Sequence, residues 1–321
     1  MPEYRAIRAN HTLLEICAQP ELAAEVTLQP VDALGVDAAI IFADILLPLV
    51  PMGMQLEFAA GEGPVLHNPL RSRADIDALR PVVPEESNLK TTLEAISLVR
   101  RELDNKVAVI GFAGGPFTLA SYAIEGGSSR EFRLAKTLMY TDPDAWFTLM
   151  DKIAEMTSAY LRAQIRAGAQ CVQLFDSWAG SLSPDDYRRY VLPATQRIVS
   201  NVLPEGVPMI VFGTGTAGML DAVAEVGTPV VGADWRIPLD VAWETIGHDR
   251  AIQGNLDPVA LFAPLAEVEA QVHRILDLAG GRPGHIFNLG HGILQQTPVD
   301  TVRAVVEMVH EYSAESKQAA G

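Results

Sequence analysis

Short runs of β-branched and aliphatic residues recur along the chain, separated by longer stretches in which apolar positions return at helical spacing. The runs are 38–42 (AAIIF), 107–112 (VAVIGF), 170–175 (QCVQLF), 207–212 (VPMIVF), 228–233 (TPVVGA), 251–253 (AIQ) and 285–288 (HIFN). They are continuously apolar rather than alternating, as expected of parallel strands covered on both faces. Between them, residues 144–167 place Trp146, Met150, Ile153, Met156, Tyr160 and Ile165 on one stripe, and Pro143 suits the entrance of that helix. The alternation predicts an α/β fold with a parallel sheet.

The polar residues separate the two architectures that remain, a doubly wound open sheet and a closed barrel. After the runs come FADIL, GFAGGPFTLASY, FDSWAG, FGTGTAG, GADWR, QGNLDP and NLGHG, so chemically loaded residues collect at the carboxyl ends of nearly all strands. Those ends meet at one mouth in a barrel, whereas an open sheet gathers only the ones near its switch point. The expectation is a (β/α)8 TIM-type barrel, one domain over residues 1–321, with seven strands visible where eight are required. Residues 50–80 have no clean period and are broken by Gly53, Gly61, Gly63, Pro64 and Pro69, which reads as a long βα insertion folded over the mouth.

Composition narrows the partners. Hydrophobic residues make up 49% and charged residues 20%, which excludes a disordered or collagenous chain. Lys and Arg total 24 against 40 for Asp and Glu, a formal net charge of −16, the wrong sign for broad adhesion to nucleic acid or to anionic lipid. A few arginines in one cleft can still receive an anionic small molecule. Cys17 and Cys171 stand alone, without Cys or His at metal spacing, so neither a disulfide framework nor a zinc ribbon is expected and a reducing cytoplasm is the expected home. No signal-peptide run and no membrane-length apolar stretch is present, so export and membrane insertion are not expected.

Several strand ends carry candidate chemistry. GTGTAG, from Gly213 to Gly218, fits the dinucleotide pattern, and Asp234 follows at the end of the next strand, where an acid would take a ribose hydroxyl. This nicotinamide-oxidoreductase reading competes with a plain one, a glycine-rich βα turn, and Trp235 and Arg236 crowd the ribose position. NLGHG leaves His291 accessible between two glycines, with Asn288 close by. The remaining histidines, at 11, 67, 248, 273, 285 and 310, lack such settings and are expected on the surface or in packing. FDSWAG sets Asp176, Ser177 and Trp178 at a strand end without the G-x-S-x-G elbow, so Ser177 is read as a hydrogen-bonding group rather than a nucleophile. Asp44, between apolar residues of IIFADIL, needs a cationic or N–H-bearing partner, or else caps the next turn. Tyr122 lies beyond a Gly-Gly-Pro turn, where packing is the simpler role.

In order, PEYRAIR, VTLQPVDALGVDAAIIFADIL, GFAGGPFTLASYAIEGG, QLFDSWAG, VGADWR, QGNLDP and NLGHG closely resemble the uroporphyrinogen decarboxylase family, across essentially the entire chain. The resemblance implies a (β/α)8 barrel, a homodimer with facing clefts, a tetrapyrrole substrate, and removal of CO2 from its four acetate side chains without cofactor or metal. It implies that Asp44 accepts hydrogen bonds from pyrrole N–H groups and that Tyr122, Ser177 and His291 contact substrate carboxylates or the reacting ring. Asp44, Tyr122 and His291 are thus the catalytic candidates. Arg5 and Arg8 match basic positions that would bind substrate carboxylates. The family's opening strand, with Arg-Gln-Ala-Gly-Arg, has no counterpart here; the missing strand would be the eighth, and the expectation is about 20–30 further residues upstream in the natural protein, or else an impaired, catalytically silent porphyrinogen binder. Related cobalamin-dependent methyltransferases build a zinc site on His and Cys; neither Cys17 nor Cys171 has a His two residues away.

Overall fold

A strand forms at every predicted run, and three of the strands extend beyond the predicted end. In chain order the strands are β1 (Ala38–Ile40), β2 (Leu56–Ala59), β3 (Gly63–Leu66), β4 (Ala108–Gly114), β5 (Cys171–Phe175), β6 (Met209–Phe212), β7 (Val230–Gly232), β8 (Ala251–Leu256) and β9 (His285–Leu289). The computed structural model of the chain describes residues 1–59 and 63–320, so Gly61 lies outside the described residues. Seven strands form one parallel sheet in the order β1-β4-β5-β6-β7-β8-β9. The 144–167 stripe becomes the helix Pro143–Ala167, whose first turn is capped by Asp142 and whose Trp146, Leu149, Ile153 and Leu161 are fully buried.

The sheet is strongly curled. Gln173 on β5 and Gln253 on β8 are separated by two strands, yet Gln253 Nε2 donates to Gln173 Oε1 at 3.5 Å across the interior. The helical layer meets around the outside: Arg303 Nε, in helix Val299–Ala320, donates to the carbonyl of Ala33 in helix Pro20–Leu34 at 3.0 Å. Among the described residues β1 and β9 do not pair, and on these edges Ile40 and Ile286 remain 43% and 41% exposed. The architecture is the expected TIM-type barrel with seven strands, open along one seam.

The insertion contains a hairpin that its sequence did not announce. β2 and β3 pair antiparallel, but each has only four residues, and Glu57 and Pro64 interrupt any alternation. The segment docks on the far end of helix Pro116–Glu125, which carries Tyr122: Leu66 N–H donates to Gly126 O and Leu70 N–H to Ala123 O, both at 2.8 Å, and Arg71 reaches the Ile124 carbonyl. Its short helix Arg73–Asp77 is held by Lys152, whose ammonium donates to the carbonyls of Ile76, Asp77 and Leu79 at 2.8–2.9 Å.

At the carboxyl ends of the strands the connecting loops touch one another. A Cβ on Gly115 would sit 2.3 Å from the Cβ of Asp176, and one on Gly290 would sit 2.6 Å from the Trp235 nitrogen. Glycine is therefore required where the loop after β4 meets the loop after β5, and where the end of β9 meets the loop after β7.

Candidate active site

The floor of the mouth is aromatic. Four of the predicted strand runs end in phenylalanine, and three of these rings line up on adjacent strands: Phe112 meets Phe175 edge-on at 5.6 Å, and Phe175 meets Phe212 at 6.1 Å. The sequence carries this signal as a recurring terminal Phe. Weighing strand ends by their polar residues alone passes over it.

Asp44 follows β1 at the rim of this floor. Its Oδ1 accepts the Leu46 N–H at 2.8 Å, so the turn-capping role holds. Its other oxygen makes no hydrogen bond among the described residues, and no cation pairs with it there. Burial without a counter-charge raises the Asp44 pKa, and the Leu46 N–H only partly opposes this. The Tyr122 hydroxyl feels the Asp44 charge; burial and that charge push its pKa to about 12. The Cys17 thiol feels the same carboxylate and is pushed to about 12 for the same two reasons. Asp44 and Tyr122, 78 positions apart in sequence, are thus brought together by the fold.

Helix Pro2–Arg8 is anchored beside them. The Tyr4 ring packs on Phe42 at 5.8 Å, two residues before Asp44. Arg5 and Arg8 project from this helix as exposed side chains; Arg8 donates to the His11 carbonyl at 2.6 Å, while Arg5 makes no ion pair among the described residues. Ser177 is half-buried at the end of β5, and His291 is exposed between its glycines at the end of β9. Of the six predicted residues, Asp44 and Tyr122 are in mutual electrostatic contact, Ser177 and His291 follow β5 and β9, and Arg5 and Arg8 are exposed on the helix that Tyr4 anchors against Phe42.

Two side chains that the sequence reading left without a role prove central. Asp176 is fully buried and accepts from Thr118 N–H at 2.8 Å, Thr118 Oγ1 at 2.7 Å and Phe117 N–H at 3.3 Å, capping the helix that carries Tyr122. Trp178 stacks on Tyr122 with ring centroids 4.0 Å apart. Neither pairing has a sequence signature, because each joins the loop after β5 to the helix after β4.

The dinucleotide reading of Gly213 to Gly218 fails here. The stretch turns into a 3-10 segment and a helix of five residues, Leu220–Ala224. Asp234, the acid that a ribose would need, is consumed: it accepts from Gly215 N–H at 2.6 Å, Arg236 N–H at 3.0 Å and the Arg236 guanidinium, which also lies over the Trp235 ring. Among the described residues no group of three His, Cys, Asp or Glu side chains is arranged to hold a metal ion.

The model of the uroporphyrinogen decarboxylase (URO-D) family matches residues 1–312. The uroporphyrinogen decarboxylase of Sorangium cellulosum is 58% identical over 318 residues, covering 99% of this chain and 90% of that protein. That of Carboxydothermus hydrogenoformans is 56% identical over 314 residues, covering 98% and 89%. Among solved structures, a methyltransferase from Methanosarcina mazei superposes with a TM-score of 0.81 at 21% identity, covering 93% of this chain and 87% of that one. A B12-independent methionine synthase from Shewanella sp. W3-18-1 gives 0.61 at 10% identity, covering 96% and 91%. At those identities the structural likeness concerns the fold alone. On the extent and identity of the sequence match, this chain belongs to the uroporphyrinogen decarboxylase family.

Proposed function

We propose that the chain converts uroporphyrinogen to coproporphyrinogen by removing CO2 from four acetate side chains, with Asp44 as the central catalytic residue. The observation that carries this reading is a half-buried carboxylate, beside Tyr122, with one oxygen unbonded and no counter-cation among the described residues. A pyrrole N–H donates to that oxygen. Protonation of the pyrrole α-carbon makes the ring cationic; the carboxyl C–C bond then breaks, CO2 leaves, and the electron pair flows into the ring. A second proton, delivered to the exocyclic carbon, yields the methyl group as the proton on the ring carbon is released. The ring is its own electron sink, so the chemistry needs no cofactor.

Asp44 favours the cationic intermediate over the neutral substrate, because the ring supplies the positive charge that the folded protein withholds from it. Tyr122 donates to a substrate oxygen or orients the ring. Arg5 and Arg8 on the rim, with His291 and Ser177, meet the carboxylate side chains. We further place two copies mouth to mouth. Val259, Phe262 and Leu265 after β8, and Ile293 and Leu294 after β9, are large apolar side chains left exposed on this face, the composition of a surface that a second copy covers. No helix among the described residues is long and apolar enough to cross a membrane, and both cysteines are free thiols, which suits the cytoplasm we propose.

An anaerobic assay tests the reading: uroporphyrinogen is expected to release CO2 and yield coproporphyrinogen, at a rate unchanged by chelators or by added nicotinamides. Tight binding of the porphyrinogen without CO2 release would replace the enzyme by a silent binder. Sedimentation velocity tests the pairing. A dimer that Phe262→Glu splits into monomers supports it, and a monomeric parent chain overturns it.

A further inference from the structure

Tyr122 has a feature that its proposed role leaves unexplained: nothing polar holds its hydroxyl. Among the described residues the phenol makes no hydrogen bond, and its ring contact is the face of Trp178, 4.0 Å between centroids and 29° from parallel. We infer that Trp178 is a positioning residue that aims the Tyr122 hydroxyl at the reacting ring. The inference rests on the reading of the preceding subsection and adds a residue to it.

Trp178 is suited to the task because it is fixed at three points. Its backbone N–H donates to Thr118 Oγ1 at 3.1 Å, and that hydroxyl donates in turn to the buried Asp176 at 2.7 Å. Thr118 and Tyr122 lie one helical turn apart on the same face of helix Pro116–Glu125, so the helix grips the backbone of Trp178 with one residue and its ring with the other. The indole also meets Phe132, tilted, at 4.9 Å; Phe132 meets Phe117 at 5.8 Å, and Phe117 meets Trp146 in the core at 6.2 Å. An aromatic chain thus runs from the core to the half-buried Tyr122. A flexible aliphatic side chain at position 178 would keep the backbone bond to Thr118 and lose the flat face, leaving the phenol free to swing.

The test is a double-mutant cycle in the full chain, read on the anaerobic assay. Trp178→Leu is expected to lower kcat about ten- to a hundredfold, the cost of slight misplacement of a reacting group, with little change in KM. Trp178→Phe restores most of the loss, and Trp178→Leu added to Tyr122→Phe costs nothing further, since the hydroxyl to be aimed is gone. Losses that multiply in the double variant, or a rise in KM at constant kcat, would overturn the inference in favour of direct substrate contact. A readout independent of turnover separates its failure from failure of the functional reading. With 3-fluorotyrosine in every tyrosine and the Tyr122 signal identified by its absence in Tyr122→Phe, one ring orientation is expected in the parent chain and in Trp178→Phe, and two in Trp178→Leu. A single orientation in Trp178→Leu sinks the inference whether or not the chain turns over substrate.

Discussion

Asp44→Asn is expected to lower kcat by about 10²–10³, the usual effect of removing one preorganised electrostatic contact to a developing charge, and at the same time to make the folded protein more resistant to urea at neutral pH. The two effects have one cause. The Asp44 carboxylate is withdrawn from water with no cation against it among the described residues, and the folded protein raises its pKa above the ordinary value of 3.8. A carboxyl with a raised folded pKa is held protonated more readily in the native state than in the unfolded chain. Stability is therefore lost as pH rises through the window between the unfolded and the folded value, and stays lost above it. The amide keeps the Oδ1 that accepts the Leu46 N–H and removes the charge. The stability gain should accordingly be present at pH 7.5 and vanish below the ordinary carboxylate range, measured as the shift in urea midpoint. The acid limb of kcat/KM in the parent chain, which reports the substrate-free protein, should lie above that range for the same reason. An Asp44→Asn variant with undiminished kcat, or one that is less stable at pH 7.5, would remove Asp44 from the centre of the mechanism. A trade of stability for activity is the common condition of active sites.

Asp176→Ala is expected to destabilise the fold by about 3 kcal/mol, since each buried donor left without an acceptor costs about 1–3 kcal/mol and a lost helix cap about 1 kcal/mol. The donors concerned are the N–H groups of Phe117 and Thr118 and the Thr118 hydroxyl, all sealed from water. Activity should fall with stability, because the same carboxylate holds the helix of Tyr122 and, through Thr118, the loop of Trp178. Asp176→Asn should be milder, as one oxygen still accepts from Thr118 while the amide group faces the Phe117 N–H. Urea unfolding of both variants checks the order. A change under about 1 kcal/mol for the alanine variant would mean that water or a shifted backbone satisfies those donors.

The strands were legible because parallel strands covered on both faces must be apolar throughout, and a run such as VPMIVF has no other common use. The mouth was legible because a barrel collects all strand ends on one side, so Asp44, Ser177 and His291 could be grouped from position alone. The hairpin of β2 and β3 was not, since four residues are too few to show a period. The dinucleotide pattern misled because three glycines satisfy a spacing without saying what the next strand's acid is bound to; Arg236 and Gly215 occupy Asp234, and only their approach in space reveals it.

What the sequence by itself determined is the order of strands and helices, the barrel, and which polar residues follow its strands, because these follow from local periodicity and from rules of chain connection. The tertiary structure alone decided the electrostatics and the aim of those residues. That Asp44 meets no counter-charge among the described residues, that it acts on Tyr122 across 78 positions of chain, that Asp176 caps a helix from the neighbouring unit and that Trp178 lies flat on Tyr122 all depend on distances between segments remote in sequence. Burial and Coulomb interactions act through space, over a few ångströms, and no pattern along the chain records them.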